Sequence, residues 1–169
     1  MVLFDTDISP FEQVNVALDL ETTGLDSNRH QILEVGAVRF RGDEVIETYQ
    51  TLVNPGVPIP EFIQRLTHIS PQQVKRAPFF SSVAAEIEDF LGADPIIGHN
   101  IQFDIGFLAN NGVPLNNPSY DTWDLASVFM PQSRQYSLKY LTSYFQVDHN
   151  DAHRALADAM ATKNVFIKL

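Results

Sequence analysis

A chain of 169 residues is long enough for one domain that buries roughly 70% of its unfolded surface, and with 44% hydrophobic and 19% charged residues it is neither disordered nor low in complexity. No apolar run reaches the roughly 20 residues of a membrane span, Met1-Val2-Leu3-Phe4-Asp5 lacks the basic start of a secretory signal, and zero cysteines exclude disulfides and thiolate metal sites, so a soluble, cytoplasmic protein with no membrane partner is expected. A net charge of −10 argues against a phosphate-backbone partner unless some of the acids hold cations, since two divalent ions would add about +4 where a phosphate sits.

Residues 1–13 show no period and read as an N-terminal arm, with one domain over 14–169. Val14–Leu20 (VNVALDL) reads as a buried strand halted by the turn chemistry of Thr22-Thr23-Gly24. Gln31–Arg41 and Val45–Val53 follow as strands joined closely enough for a hairpin, and the proline-rich stretch Asn54–Pro60 is a loop. Helices are predicted from Pro60 to Leu66, after Ser70-Pro71 (a capping serine, then proline at the first helical position), and from Phe79 to Leu91. Pro95–Gly98 is a short apolar strand, and Ile101–Asn110 is a helix closed by Asn111-Gly112. Further helices are predicted over Thr122–Phe129, Ser137–Phe145 and from about Ala152 to Leu169. Strands first, then helices alternating with short strands, predict an α/β domain with a mixed sheet.

Three segments carry chemistry. Asp19 lies within an otherwise apolar strand, where a bare carboxylate is costly to bury unless something pairs with it. Period-two alternation sets Asp19 and Glu21 on one face, close enough to share a hard cation. Asp104 falls in the first turns of a helix whose apolar stripe is Ile101, Ile105 and Leu108. An acid there also complements the helix dipole, and Phe103 and Phe107 have the character of core residues. Asp158 sits among Ala155, Ala157, Ala159 and Ala161, small residues that permit close helix–sheet packing. His153 precedes it by five residues, which in a regular helix sets the two roughly 140° apart. To share a site with Asp158, His153 must stand at the helix start or in the loop before it. His99, at a strand–helix junction, is a rival base whose position favours a structural or substrate-positioning role.

Asp-x-Glu after a first strand, Asn-x-x-Phe-Asp on a mid-chain helix and His-x-x-x-x-Asp on a late helix, in this order over Val14–Thr162, resemble the three motifs of the DEDDh exonucleases. That family includes DnaQ-like proofreading exonucleases, RNase T and oligoribonuclease. Leu66-Thr67-His68-Ile69 and Asp121-Thr122 are similar to further family landmarks. The resemblance implies an RNase H-like fold, a five-stranded mixed sheet flanked by helices. It implies two Mg²⁺ or Mn²⁺ ions held by Asp19, Glu21, Asp104 and Asp158, and His153 as general base in the 3′→5′ release of mononucleotides. It assigns Thr22, Gly24, Leu25, His68, Asn100 and Phe103 to substrate binding, with Leu25 wedged against the terminal base. The partner is then a nucleic acid with a free 3′ end, single-stranded DNA being favoured because basic patches are sparse and stacking must supply the grip. Tyr120-Asp121-Thr122-Trp123-Asp124-Leu125-Ala126 is closer to proofreading-type domains of bacterial DNA polymerase III and DinG-like helicase fusions, so a polymerase or helicase module is an expected neighbour. RNA trimming and a catalytically idle nucleic-acid-binding scaffold are the alternatives. Retention of all five acidic and histidine positions speaks against the scaffold.

Overall fold

Val14–Thr22 (β1) is the central strand of a five-stranded sheet in the computed structural model, which describes residues 12–169. Ile32–Arg41 (β2) and Glu44–Leu52 (β3) extend the sheet on one side by antiparallel pairing, in the order β3-β2-β1. Their hairpin turns at Gly42, whose φ of 54° favours glycine. On the other side Ile96–Gly98 (β4) and Ser119–Asp121 (β5) pair in parallel. The sheet is therefore mixed, as expected, and helices flank it. Of the arm expected over 1–13, residues 1–11 lie outside the described residues.

Alternation along β1 sorts the helices. Val16, Leu18 and Leu20 face a core built with Val83, Ile87, Phe90 and Leu91 of Phe80–Leu91 (α3) and with Phe107 and Leu108 of Gln102–Asn110 (α4). Ala17, on the opposite face, packs with Val38, Phe40, Ile97 and Ala159, the last from Ala155–Lys168 (α7). Asp19 and Glu21 continue the Ala17 face and so lie on the side of α7. Ala155, Ala159 and Ala161 are fully buried. The approach is so close that a β-carbon on Gly36 would fall 2.2 Å from the Ala155 backbone. Glu61–Thr67 (α1) and Pro71–Val74 (α2) cover the end of β2, and Ser70 and Gln73 form a reciprocal cap at α2. Thr122–Phe129 (α5) and Leu138–Phe145 (α6) pack on the far end of α7 through Ala126, Leu141 and Val165.

Three differences from the sequence reading matter. β1 runs two residues beyond Leu20, through Glu21 and Thr22, because it stays paired with β2 across a register shift between those residues. α7 starts at Ala155 and not at Ala152, because His153 takes a left-handed conformation, φ 65°, that no regular helix continues through. Residue periodicity alone left β5 unassigned; it is three residues long, too short to show a period. Among the described residues, no helix is long and apolar enough to cross a membrane.

Candidate active site

β1 outruns its parallel neighbour. Val16 donates its N–H to the Pro95 carbonyl on the β4 side, and the same edge carries the N–H of every second residue. β1–β4 pairing is limited to Val16↔Ile96 and Ala17↔Ile97, so Leu20 projects its N–H past the paired stretch. Asp104, 3% exposed at the start of α4, accepts that N–H at 2.9 Å. A helix that packs on one sheet face thus delivers a carboxylate to the strand segment whose own acids, Asp19 and Glu21, belong to the other. The carboxyl ends of adjacent parallel strands are where open α/β sheets commonly bind ligands.

The fourth acid comes from α7. Asp158 is 8% exposed, and both its oxygens accept the His153 N–H, at 3.3 Å each. The loop position of His153, demanded by the five-residue spacing, turns the histidine back toward its own helix. Glu21, His153 and Asp158 each offer a ligand atom within 4.8 Å of the others. Asp158 also pairs with His149 Nε2, on the same loop. His149 carries no spacing signal and escapes a sequence reading. His99 is tied down through Nδ1 to the Thr122 hydroxyl at 2.9 Å, and that hydroxyl donates to the Gly98 carbonyl, so it holds the β4–α5 junction together.

Electrostatically the cluster is out of balance. Burial, then the charges of Asp104, Asp158, Glu21 and Glu34, raise the Asp19 pKa well above the usual carboxylate range. Burial likewise lifts that of Asp104, against the opposing effect of the Leu20 N–H. Glu21 is raised to about 8 by burial and by Asp158 and Glu34, with Arg154 pulling the other way. Burial lowers the pKa of His99, partly offset by Asp121 and Asp158. Converging hard oxygen donors that resist ionising together are the donor set a divalent cation of the Mg²⁺ or Mn²⁺ type fits.

Glu34 is the other residue missed. It lies opposite Glu21 in the β1–β2 pairing and is fully buried. Its signal was the one that marked Asp19, an acid inside an apolar strand.

The residues assigned to substrate binding fall into two groups. Leu25 is 86% exposed beside the acids' strand, and His68, in a left-handed turn that ends α1, is exposed too. Asn100 is exposed with φ 60°, its N–H and that of Ile101 held by the Asp121 carboxylate. Thr22, Gly24 and Phe103 also make contacts within the framework. Thr22 donates its hydroxyl to the Gly24 carbonyl at 2.7 Å, a Gly24 β-carbon would strike the His30 ring, and Phe103 packs on Phe107 with ring centroids 4.8 Å apart.

Fold and acids together define an α/β domain with a cluster of buried carboxylates toward the end of its central strand. Residues 16–166 match the RNase T exonuclease family, and the chain belongs to that family. It is an exonuclease domain of RNase H-like fold, a phosphodiester hydrolase from a divalent-metal-dependent family. The DNA polymerase III subunit epsilon of Aquifex aeolicus is 36% identical over 159 residues, covering 91% of this chain and 79% of that protein. The PolC-type DNA polymerase III of Caldanaerobacter subterraneus subsp. tengcongensis is 35% identical over 158 residues, 91% of this chain but 11% of that protein. The chain thus spans a small part of the PolC-type relatives. Exonuclease X in complex with 5′ overhanging duplex DNA shares the fold, with a TM-score of 0.78 at 24% identity over 91% of this chain and 89% of that one.

Proposed function

We propose that this domain removes mononucleotides from the 3′ ends of DNA, with Asp19, Glu21, Asp104 and Asp158 holding two Mg²⁺ or Mn²⁺ ions and His153 as general base. The observation that carries the reading is the convergence of acids from β1, α4 and α7 on one cluster with the exposed His153 beside it. Two ions bound there would neutralise the scissile phosphate, activate the attacking water and stabilise the departing 3′ oxyanion. His153 is exposed, and its left-handed turn keeps the ring beside the acids. It accepts the proton of the attacking water, a role matched to imidazole near neutral pH. Leu25, presented to solvent, packs on the terminal base, and His68 and Asn100 border the nucleotide. Thr22, Gly24 and Phe103 complete the set assigned to substrate binding.

DNA is favoured over RNA because the relatives named above are DNA polymerase III proteins. A proofreading or repair setting follows, in the cytoplasm beside a polymerase or helicase module. A −10 chain with few basic residues grips single strands better through stacking than through phosphate contacts. The test is to incubate matched single-stranded DNA, duplex DNA and RNA, each with a free 3′ end, with Mn²⁺ or with EDTA. Cleavage is expected only with metal and fastest on single-stranded DNA. Faster RNA shortening would replace this reading with RNA trimming, and no metal-dependent cleavage of any substrate would remove it.

A further inference from the structure

Glu34 is unusual for a fully buried acid in that every contact it makes leads to the start of α7 or braces it. Its carboxylate accepts from Arg154 Nε at 3.0 Å and from an Arg154 terminal nitrogen at 2.6 Å, the fork geometry of a bidentate ion pair. It also accepts the Ala155 N–H at 3.1 Å, one of the donors that a helix start leaves open. Gln50 of β3 donates to it at 2.9 Å and fixes it from behind. Arg154 follows His153 directly and is the N-cap residue of α7, which has no side-chain cap of its own. The missing β-carbon at Gly36 lets the same helical turn rest on the β2 backbone.

We propose that Glu34 and Arg154 form a positioning clamp for the site, setting His153 and Asp158 in register with Glu21; the assignment rests on the functional reading above. Two arguments support it. First, His153 sits at φ 65°, a conformation unfavourable for a residue with a side chain, and it persists only where its surroundings over-determine it. The clamp grips the very next residue. Second, Glu34 stands directly across from Glu21, an arrangement of like charges that is destabilising by itself. The Arg154 guanidinium pairs with Glu34 through both carboxylate oxygens and so offsets the charge that faces Glu21. A single side chain therefore fixes the loop geometry and neutralises the buried acid that stands across from Glu21. Lysine could supply the charge but not the fork.

The experiment compares wild type with Glu34→Gln, Arg154→Lys, Arg154→Gln and the double variant Glu34→Gln/Arg154→Gln. It reads thermal melting, Mn²⁺ affinity by electron paramagnetic resonance, and kcat and KM on single-stranded DNA. Glu34→Gln keeps the volume and an acceptor for Ala155, and Arg154→Lys keeps a charge beside the buried Glu34, so both should fold; Arg154→Gln leaves that carboxylate uncompensated, a cost the double variant removes. Each single variant is expected to lose roughly ten- to a hundredfold in Mn²⁺ affinity or kcat, the usual effect of disturbing residues behind metal ligands, with KM little changed. The double variant should be no worse than the poorer single, because the residues act as one unit. Wild-type kcat and Mn²⁺ affinity in Arg154→Lys, or variants that lose only melting temperature, would overturn the clamp. A wild-type protein without metal-dependent cleavage would instead overturn the reading on which the clamp rests.

Discussion

The Leu20 N–H donates to the Asp104 carboxylate at 2.9 Å, and this bond ties α4 to the central strand midway between Asp19 and Glu21. It has two separable consequences. Asp104→Asn keeps an acceptor for Leu20 but removes the charge, so exonuclease turnover should fall by orders of magnitude while the fold stands. Asp104→Ala also leaves a buried N–H unpaired, which costs about 1–3 kcal/mol. Melting of the two variants beside wild type checks this: Asp104→Ala should be the less stable. Equal activity in Asp104→Asn and wild type would remove Asp104 from the metal site.

Glu21 makes metal binding and pH interdependent. Its ordinary value is 4.5 and burial beside Asp158 and Glu34 raises it to about 8, so the folded state binds this proton more tightly than the unfolded chain. The resulting stability is present below about 4.5 and is lost as pH rises through 8. Asp19 and Asp104 shift in the same direction. A divalent cation binds the ionised forms, so the rise in Tm on adding Mn²⁺ should grow as pH increases from about 5 to 8. Thermal scans over that range measure it, and an increment that shrinks with pH would contradict the cluster's role.

His153, His149 and His99 separate by function. His153→Ala should lower turnover by roughly 10²- to 10⁴-fold, the usual share of a general base, with Mn²⁺ still bound. His149→Ala removes a partner of the Asp158 carboxylate and should weaken Mn²⁺ binding first. His99→Ala loosens the junction at Thr122 and should act mainly on stability. Activity lost in His99→Ala but kept in His153→Ala would reverse the assignment.

Leu25, at 86% exposure, contributes little to the fold. Leu25→Ala should leave Tm unchanged and raise KM for single-stranded DNA. A drop in Tm with KM unaltered would make it a framework residue.

Much of this was readable from the residues alone. An acid in the apolar run of β1 marked Asp19, and the rotation between His153 and Asp158 required a loop that the left-handed His153 supplies. The same acid-in-strand signal was present at Glu34 and went unread, because nothing in one sequence says that Arg154, far along the chain, will meet it. The Asp104–Leu20 bond was hidden for a related reason. It depends on β4 stopping short of β1, a matter of strand length that periodicity over three residues does not register. His149 had no pattern to betray it, since its partner is set by the course of a loop.

The most direct measurement follows a 5′-labelled single-stranded DNA through time with Mn²⁺, for wild type and Asp19→Asn. The account predicts a ladder shortened one nucleotide at a time from the 3′ end by wild type, abolished by EDTA and by Asp19→Asn. Internal cuts, shortening in EDTA, or full activity in Asp19→Asn would contradict it.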